Sequence, residues 1–288
     1  MDLYIVSVFV EDGPLHGGNP LAVFPEAGDL ETAQMQAIAR TMNLSETTFV
    51  TGAEPEGYDV RIFTPREELP FAGHPTIGTA WTLRHLGVVK ADDVMQRSRV
   101  GPTPVRAEGE LLWFERPGTV DADLEATETR ADEVVAHALG VDASNVGLEA
   151  RELGRSGRLR PAMADAGTRQ LMVPLRSIDA LESCAPRSDL LEALCRSGVY
   201  CFTSAGAGRV RARAFFPGVG IEEDPATGSA AAALGLYLAD RMGPIRFEVI
   251  QGVEIGRPSR IAVDGRAGSV RVGGRCGLIL SGRLEVLS

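Results

Sequence analysis

The stretch Glu222-Glu223-Asp224-Pro225-Ala226-Thr227-Gly228-Ser229, which runs into Ala230 to Asp240, decides the fold. A strand-like segment, 209–216, leads into this acidic turn, and the alanine-rich run after the turn predicts a helix because alanine has the highest helix propensity. The turn therefore feeds directly into a helix N-terminus, where unpaired N–H groups and the positive end of the dipole favour an anion. Gly228, Ser229 and Ala230 are predicted to hold a carboxylate there, and Gly228 has no side chain to block its approach.

A second copy of this pattern lies earlier in the chain. Arg61-Ile62-Phe63-Thr64-Pro65 is echoed by Arg213-Ala214-Phe215-Phe216-Pro217 at an offset of 152, and Pro70-Phe71-Ala72-Gly73-His74 falls on Pro225-Ala226-Thr227-Gly228-Ser229 at an offset of 155. The repeat predicts two similar domains, 1–118 and 119–288, with the last strand a candidate to return to the first. Because each domain presents a helix N-terminus, we expect one active site in the cleft between them, with a carboxylate held from both sides.

Length and composition set the class of protein and of ligand. The 288 residues suit two domains of ordinary size, and 44% hydrophobic with 24% charged residues is typical of soluble chains. A net charge of −10 argues against nucleic acid or an anionic membrane as the partner, which leaves a small molecule. The N-terminus lacks a signal peptide pattern and the four cysteines lack CxxC spacing, so we expect reduced thiols in a cytoplasmic protein. Four scattered histidines make a metal cluster unlikely on sequence grounds.

Three polar residues of the first half each have a structural and a functional interpretation. Asn19 follows Gly17-Gly18 and precedes Pro20, so it is either a turn residue that caps the backbone or an amide that reaches a ligand. Glu46 begins a predicted strand, where a glutamate is usually solvated. His74 stands at a helix mouth before Pro75; such a histidine is often structural, but the dipole lowers its pKa and a neutral ring could exchange protons.

Several other elements follow from local patterns. Asp29 is expected to cap a helix whose apolar residues recur at Met35, Ile38, Ala39 and Met42. Residues 97–116 predict a hairpin with Gly109 in its turn, and Pro117-Gly118 with the acidic Asp121-Ala122-Asp123 is a candidate linker. The loop from Gln251 to Pro258 is either shaped to border the cleft or a plain β turn.

Together these segments resemble the PhzF family of phenazine biosynthesis, whose fold is similar to that of diaminopimelate epimerase. Five motifs carry the resemblance, in order along nearly the whole chain: Gly18-Asn19-Pro20, Asn43-Leu44-Ser45-Glu46, Phe63-Thr64-Pro65 with Glu68-Leu69-Pro70-Phe71-Ala72-Gly73-His74-Pro75, Glu223-Asp224-Pro225-Ala226-Thr227-Gly228-Ser229-Ala230, and Gln251-Gly252-Val253-Glu254-Ile255-Gly256-Arg257-Pro258. The resemblance implies an α/β (α+β) protein of two pseudo-symmetric domains, each a curved β sheet or barrel around a central helix. It also implies an isomerase that needs no cofactor and is often a homodimer.

By the same resemblance, the family's catalytic glutamate falls on Glu46. The residues that line its site fall on Asn19, Gly73, His74, Asp224, Gly228 and Ser229, among which His74 and Asp224 are candidates for proton relay.

The chemistry implied by the resemblance is proton transfer by one acid. Related racemases use two thiols, one after each helix-mouth glycine, but here those positions hold His74 and Ser229. A two-thiol epimerase is therefore excluded, and because a serine hydroxyl is a weak acid and base, Glu46 is left as the main proton carrier. Two alternatives stay open: an isomerase or epimerase of another amino or hydroxy carboxylate, and a binding module without turnover.

Overall fold

The computed structural model describes residues 1–11, 13, 15–123, 130–206 and 208–285, which form twenty strands and six α-helices. The first half contains helices α1 (Thr32–Met42) and α2 (Gly73–His85) and strands β1 (Asp2–Val8), β2 (Asn19–Phe24), β3 (Glu46–Glu54), β4 (Gly57–Phe63), β5 (Glu68–Leu69), β6 (Asp93–Ser98), β7 (Gly101–Glu108) and β8 (Leu111–Pro117).

The second half contains helices α3 (Arg130–Leu139), α4 (Ile178–Glu182), α5 (Ser188–Leu194) and α6 (Gly228–Met242). Its strands are β9 (Thr119–Asp123), β10 (Leu148–Glu149), β11 (Arg158–Leu159), β12 (Ala162–Asp165), β13 (Arg169–Pro174), β14 (Val199–Ser204), β15 (Arg209–Phe216), β16 (Ile221–Asp224), β17 (Ile245–Gln251), β18 (Ser259–Arg266), β19 (Ser269–Gly274) and β20 (Cys276–Arg283).

The helices α2 and α6 are the centres of the two halves. In α6 every residue from Gly228 to Ala239 is buried, and in α2 every residue from Gly73 to Ala80. A helix that is small and apolar on all faces cannot lie at a surface, so strands surround it. Each fully buried leucine, such as Leu83 or Leu234, contributes roughly 1.5–3 kcal/mol through removal from water.

The strand order confirms the internal duplication. In the first half β2 is parallel to β3, β3 is antiparallel to β4, and β4 is parallel to β6. In the second half β13, β14, β15 and β17 repeat the same sequence of pairings. The predicted fold class, two pseudo-symmetric curved sheets around central helices, is therefore observed.

Among the described strands, two pairs join the halves. The strand β8 pairs with β19 and β1 pairs with β20, both antiparallel. The predicted linker is wrong in one respect, because its residues Asp121-Ala122-Asp123 lie in β9, which pairs with β12 of the second half. Residues 124–129 and 286–288 of the predicted second domain lie outside the described ranges.

Some of the local predictions are confirmed and one is wrong. The hairpin with Gly109 in its turn is present as β7 and β8. The cap of α1 is Glu31 rather than Asp29, and the Glu31 N–H donates to Gln34 Oε1 at 2.8 Å. All four cysteines are free thiols. Across the described part of the chain, the helices are too short or too polar to span a bilayer.

Candidate active site

The site is organised by two helix N-termini that touch. The helix α2 begins at Gly73 and α6 begins at Gly228. A Cβ atom on Gly73 would lie 2.4 Å from the Ser229 nitrogen, and a Cβ on Gly228 would lie 3.0 Å from the Gly73 carbonyl carbon. Only glycine permits this approach. Because the backbones are in contact, an anion can reach the paired N-termini from the side but cannot fit between the two glycines.

A cavity of about 410 Å³ opens beside these helix ends. One part of its wall is polar and contains Glu46, Asp224, Thr227 and Ser229. Another part is apolar and contains Leu69, Phe71, Phe216, Val219 and Ile221. This division suits a small ring with polar substituents on one side.

The predicted site residues are brought together, but only some of them line the cavity. Glu46, Asp224 and Ser229 line it directly. His74 and Asn19 are buried next to these side chains, and Gly73 and Gly228 form the helix contact.

Glu46 is the first residue of β3, and it follows Asn43, whose left-handed φ of 51° ends α1. The residue is only 9% exposed, and its Oε2 has no hydrogen-bond partner in the described ranges. Burial, and then the nearby charge of Asp224, raise the pKa of Glu46 well above its usual value. A dry carboxyl of this kind holds its proton more tightly and, once ionised, is a stronger base than a solvated glutamate.

Asp224 is held by three donors. Its Oδ1 accepts from Asn19 Nδ2 at 2.9 Å and from Ser45 Oγ at 3.0 Å, while its Oδ2 accepts from Thr227 Oγ1 at 2.6 Å. Burial raises the pKa of Asp224 to about 6, although these hydrogen bonds act in the opposite direction. Since the donors favour its charged form, Asp224 is the member of the carboxyl pair that loses its proton more readily, and Glu46, which has no such donors, holds its proton more tightly.

His74 is a neutral neighbour of Glu46. Burial lowers the pKa of His74 to about 3. The sequence predicted a lowered pKa from the helix dipole, but burial is the main cause. Its Nδ1 faces Asn19 Nδ2 at 3.3 Å, which cannot accept, so Nδ1 is the unprotonated nitrogen and Nε2 carries the hydrogen. Because the imidazole is neutral, the 3.4 Å contact from Nε2 to Glu46 Oε2 is not an ion pair.

Asn19 neither caps a turn nor reaches the cavity. It is the buried first residue of β2, and its Nδ2 donates to Asp224 Oδ1 and to the Ala226 carbonyl at 3.0 Å. Both acceptors precede α6, so Asn19 ties the first half to the helix entry of the second.

Three supporting residues were not singled out by the sequence. Ser45 and Thr227 donate to Asp224. Gln251 donates to the Asp224 carbonyl at 2.8 Å and to Thr227 Oγ1 at 3.0 Å, and it accepts from Tyr200. Their positions in the sequence could have indicated these roles, because Ser45 precedes Glu46 and Gln251 is the first residue of the loop motif. Gln251 is the last residue of β17, and the loop after it contains a turn in which the Gly256 N–H donates to the Val253 carbonyl at 3.1 Å.

The fold and site define an epimerase-like protein that places buried carboxyl groups beside paired helix N-termini. The family model described as "Phenazine biosynthesis-like protein" (PhzC-PhzF) matches residues 6–282. The chain belongs to this family, and it is an isomerase of the PhzF type.

Two relatives show how the chain compares in sequence. It is 39% identical to the trans-2,3-dihydro-3-hydroxyanthranilate isomerase of Pseudomonas fluorescens, over 93% of this chain and 92% of the relative. It is 34% identical to an uncharacterized isomerase of Pasteurella multocida, over 99% of this chain and 94% of the relative.

Solved structures agree in fold. The PhzF-family phenazine biosynthesis protein of Bacillus anthracis superimposes with a TM-score of 0.83 at 21% identity, covering 99% of each chain. A hydroxyproline epimerase from Agrobacterium vitis gives a TM-score of 0.64 at 12% identity, covering 98% of this chain and 91% of its own. Both likenesses concern the fold.

Proposed function

We propose that this isomerase moves a proton between carbons of a small cyclic amino or hydroxy carboxylate, without a cofactor, and that Glu46 is its acid and base. The substrate class follows the relative at 39% identity, which acts on trans-2,3-dihydro-3-hydroxyanthranilate. The observation that supports the proposal most is the buried, unpartnered carboxyl oxygen of Glu46 in the wall of a cavity beside two helix N-termini.

The proton transfer uses one face of the substrate. Ionised Glu46 removes a proton from carbon, and the electron pair of the broken C–H bond enters the adjacent double bonds of the ring. Neutral Glu46 then returns the proton to a second carbon on the same face, so atoms and charge balance without an oxidant. The raised pKa of Glu46 serves the first step, because a carboxylate that binds a proton more tightly is a stronger base towards carbon.

The surrounding groups position the reactants. The first N–H groups of α2 and α6 lack partners within their helices, so the paired N-termini attract the substrate carboxylate from the cavity side. The Nε2 of neutral His74 lies 3.4 Å from Glu46 Oε2 without a hydrogen bond, and a small approach of the two groups would let it donate to ionised Glu46. Asp224 stays ionised near neutral pH and accepts from an amine or hydroxyl of the substrate.

The test is turnover in D₂O. The purified chain is mixed with trans-2,3-dihydro-3-hydroxyanthranilate, and the product is followed by ¹H NMR. We expect conversion in which the transferred position keeps part of the substrate hydrogen, because Glu46 is sheltered from solvent. Absence of conversion would rule out this substrate class, and a product fully deuterated at that position from the first turnover would rule out a sheltered single carrier.

A further inference from the structure

Around Phe216 and Gln170, the cavity wall that the second half contributes has no carboxyl group equivalent to Glu46. The register identifies the residue equivalent to Glu46: Thr47 pairs with Phe63 in the first half, and Val199 pairs with Phe215 in the second. Phe63 and Phe215 are equivalent in the repeat, so the preceding residues, Glu46 and Gly198, are also equivalent. The place of the first half's carboxyl is therefore taken by a glycine.

The space left by Gly198 is filled by an aromatic ring. Gly198 has a left-handed φ of 118°, and a Cβ atom there would lie 2.0 Å from Phe216 Cδ1. Phe216 also lines the cavity. This wall thus offers an apolar ring face where the other half offers a carboxyl group.

Gln170 is a buried polar residue of this wall, whereas Thr168, Arg196 and Ser197, which also line it, are half-buried or exposed. It lies beside Gly198, because the next residue, Leu171, donates its N–H to the Gly198 carbonyl at 3.0 Å. Gln170 lines the cavity, yet it is only 2% exposed and its Oε1 has no partner among the described residues. A buried amide oxygen without a partner destabilises the folded chain, so its retention points to a partner that is not protein.

We propose that Gln170 is a substrate-recognition residue: its Oε1 accepts a hydrogen bond from an amino or hydroxyl group of the ring whose face packs on Phe216. The inference rests on the proposed function, because it describes the same cavity. An amide neither gains nor loses a proton near neutral pH. The second-half wall therefore selects the substituent, while Glu46 on the first-half wall moves the proton.

Binding of unreactive aromatic analogues tests this proposal. Calorimetry would compare 3-hydroxyanthranilate, anthranilate and 3-hydroxybenzoate with benzoate, which lacks the ring donor. In Gln170→Met we expect about tenfold weaker binding of the donor-bearing analogue that wild type prefers, and unchanged binding of benzoate. The melting temperature should stay the same or rise, because the variant removes an unpartnered polar group. Gln170→Asn shortens the side chain by one methylene group and should weaken binding of the same analogue.

Gln96 provides the matched control. It is buried in the first half, where it accepts from Tyr58 at 3.0 Å and donates to Thr76 Oγ1 at 2.9 Å. Gln96→Met should lower the melting temperature and leave the affinities unchanged. The proposal is overturned if Gln170→Met binds all four analogues as wild type does, or if wild type binds benzoate as tightly as the donor-bearing analogues. Wild-type protein that binds the analogues but converts no substrate would instead refute the proposed function.

Discussion

The two halves share a fold but differ at the positions that face the cavity. Both strands β4 and β15 carry an arginine that pairs with the glutamate of the following strand, Arg61 with Glu68 and Arg213 with Glu223, and each arginine also lies over an aromatic ring two residues on. The framework has thus kept its polar contacts through the duplication.

The cavity side has lost its symmetry. The position of Glu46 in the first half is taken by Gly198 in the second. The position of Asp224 in the second half is taken by Leu69 in the first, because Leu69 pairs with Ile62 as Asp224 pairs with Ala214. The two buried carboxyl groups therefore come from non-equivalent positions and meet on one wall. A two-base epimerase needs one base on each face of the substrate. These positions supply no such pair, which favours proton transfer on a single face.

The comparison is tested most strongly by removing the acid of the first half. We expect Glu46→Gln to lower kcat by at least about a thousandfold, equivalent to about 4 kcal/mol of transition-state stabilisation, while the protein stays folded. Turnover of trans-2,3-dihydro-3-hydroxyanthranilate and circular dichroism would measure the two effects.

Glu67→Gln is the control, because Glu67 also lines the cavity but is exposed. Its kcat should remain within about threefold of wild type. A Glu46→Gln protein that retains more than a few per cent of activity would remove Glu46 from the proposed role.

The shared framework can be tested by removing the equivalent arginines. Arg213 is 9% exposed and, besides Glu223, donates to the carbonyls of Leu181 and Cys184 at 3.2 and 2.9 Å near the end of α4. Arg61 is 27% exposed and its described partner is Glu68. Breaking a buried pair leaves an uncompensated charge and unsatisfied carbonyls.

We therefore expect Arg213→Met to lower the free energy of unfolding by about 3 kcal/mol or more, and Arg61→Met by about 1 kcal/mol. Urea denaturation would measure both. Equal losses would mean that the extra contacts of Arg213 add no stability, and that the two framework ion pairs are interchangeable.

The sequence predicted the parts of this molecule that have a local signature. Each of three short patterns predicts a feature by itself. The alanine run of α6 and the proline after His74 predict the two central helices, and the repeated Arg-to-Pro segments predict the duplication. The acidic strand Thr119–Asp123 was mistaken for a linker because it is half exposed and shows no apolar alternation; it is a strand because it pairs with β12.

The finer geometry of the site depends on contacts between distant residues. Asn19 is 205 positions from Asp224, and only the fold shows that its amide serves this carboxylate instead of a turn or a ligand. The equivalence of Glu46 and Gly198 could not be read from the sequence, because the offset between the repeats changes along the chain. The register of the paired strands is needed to identify it. Gln170 carries no motif, and its importance lies in being buried without a partner, which sequence does not reveal.

The smallest expected effect concerns pH and follows from Glu46, whose position in the second half is taken by Gly198. The pKa of Glu46 is raised above its ordinary 4.5, so the folded state binds this proton more tightly than the unfolded state. The resulting stability is fully present below pH 4.5 and is lost as pH rises towards the raised pKa. Between pH 5 and 6.5 the unfolding free energy of wild type should therefore change with pH by up to about 1.4 kcal/mol per unit more negatively than that of Glu46→Gln. Because Asp224 and Glu46 influence each other, the difference between the two slopes reports the Glu46 carboxyl together with its effect on Asp224. Urea titrations across this range would measure it, and identical slopes would show that Glu46 is as well solvated in the folded chain as in the unfolded one.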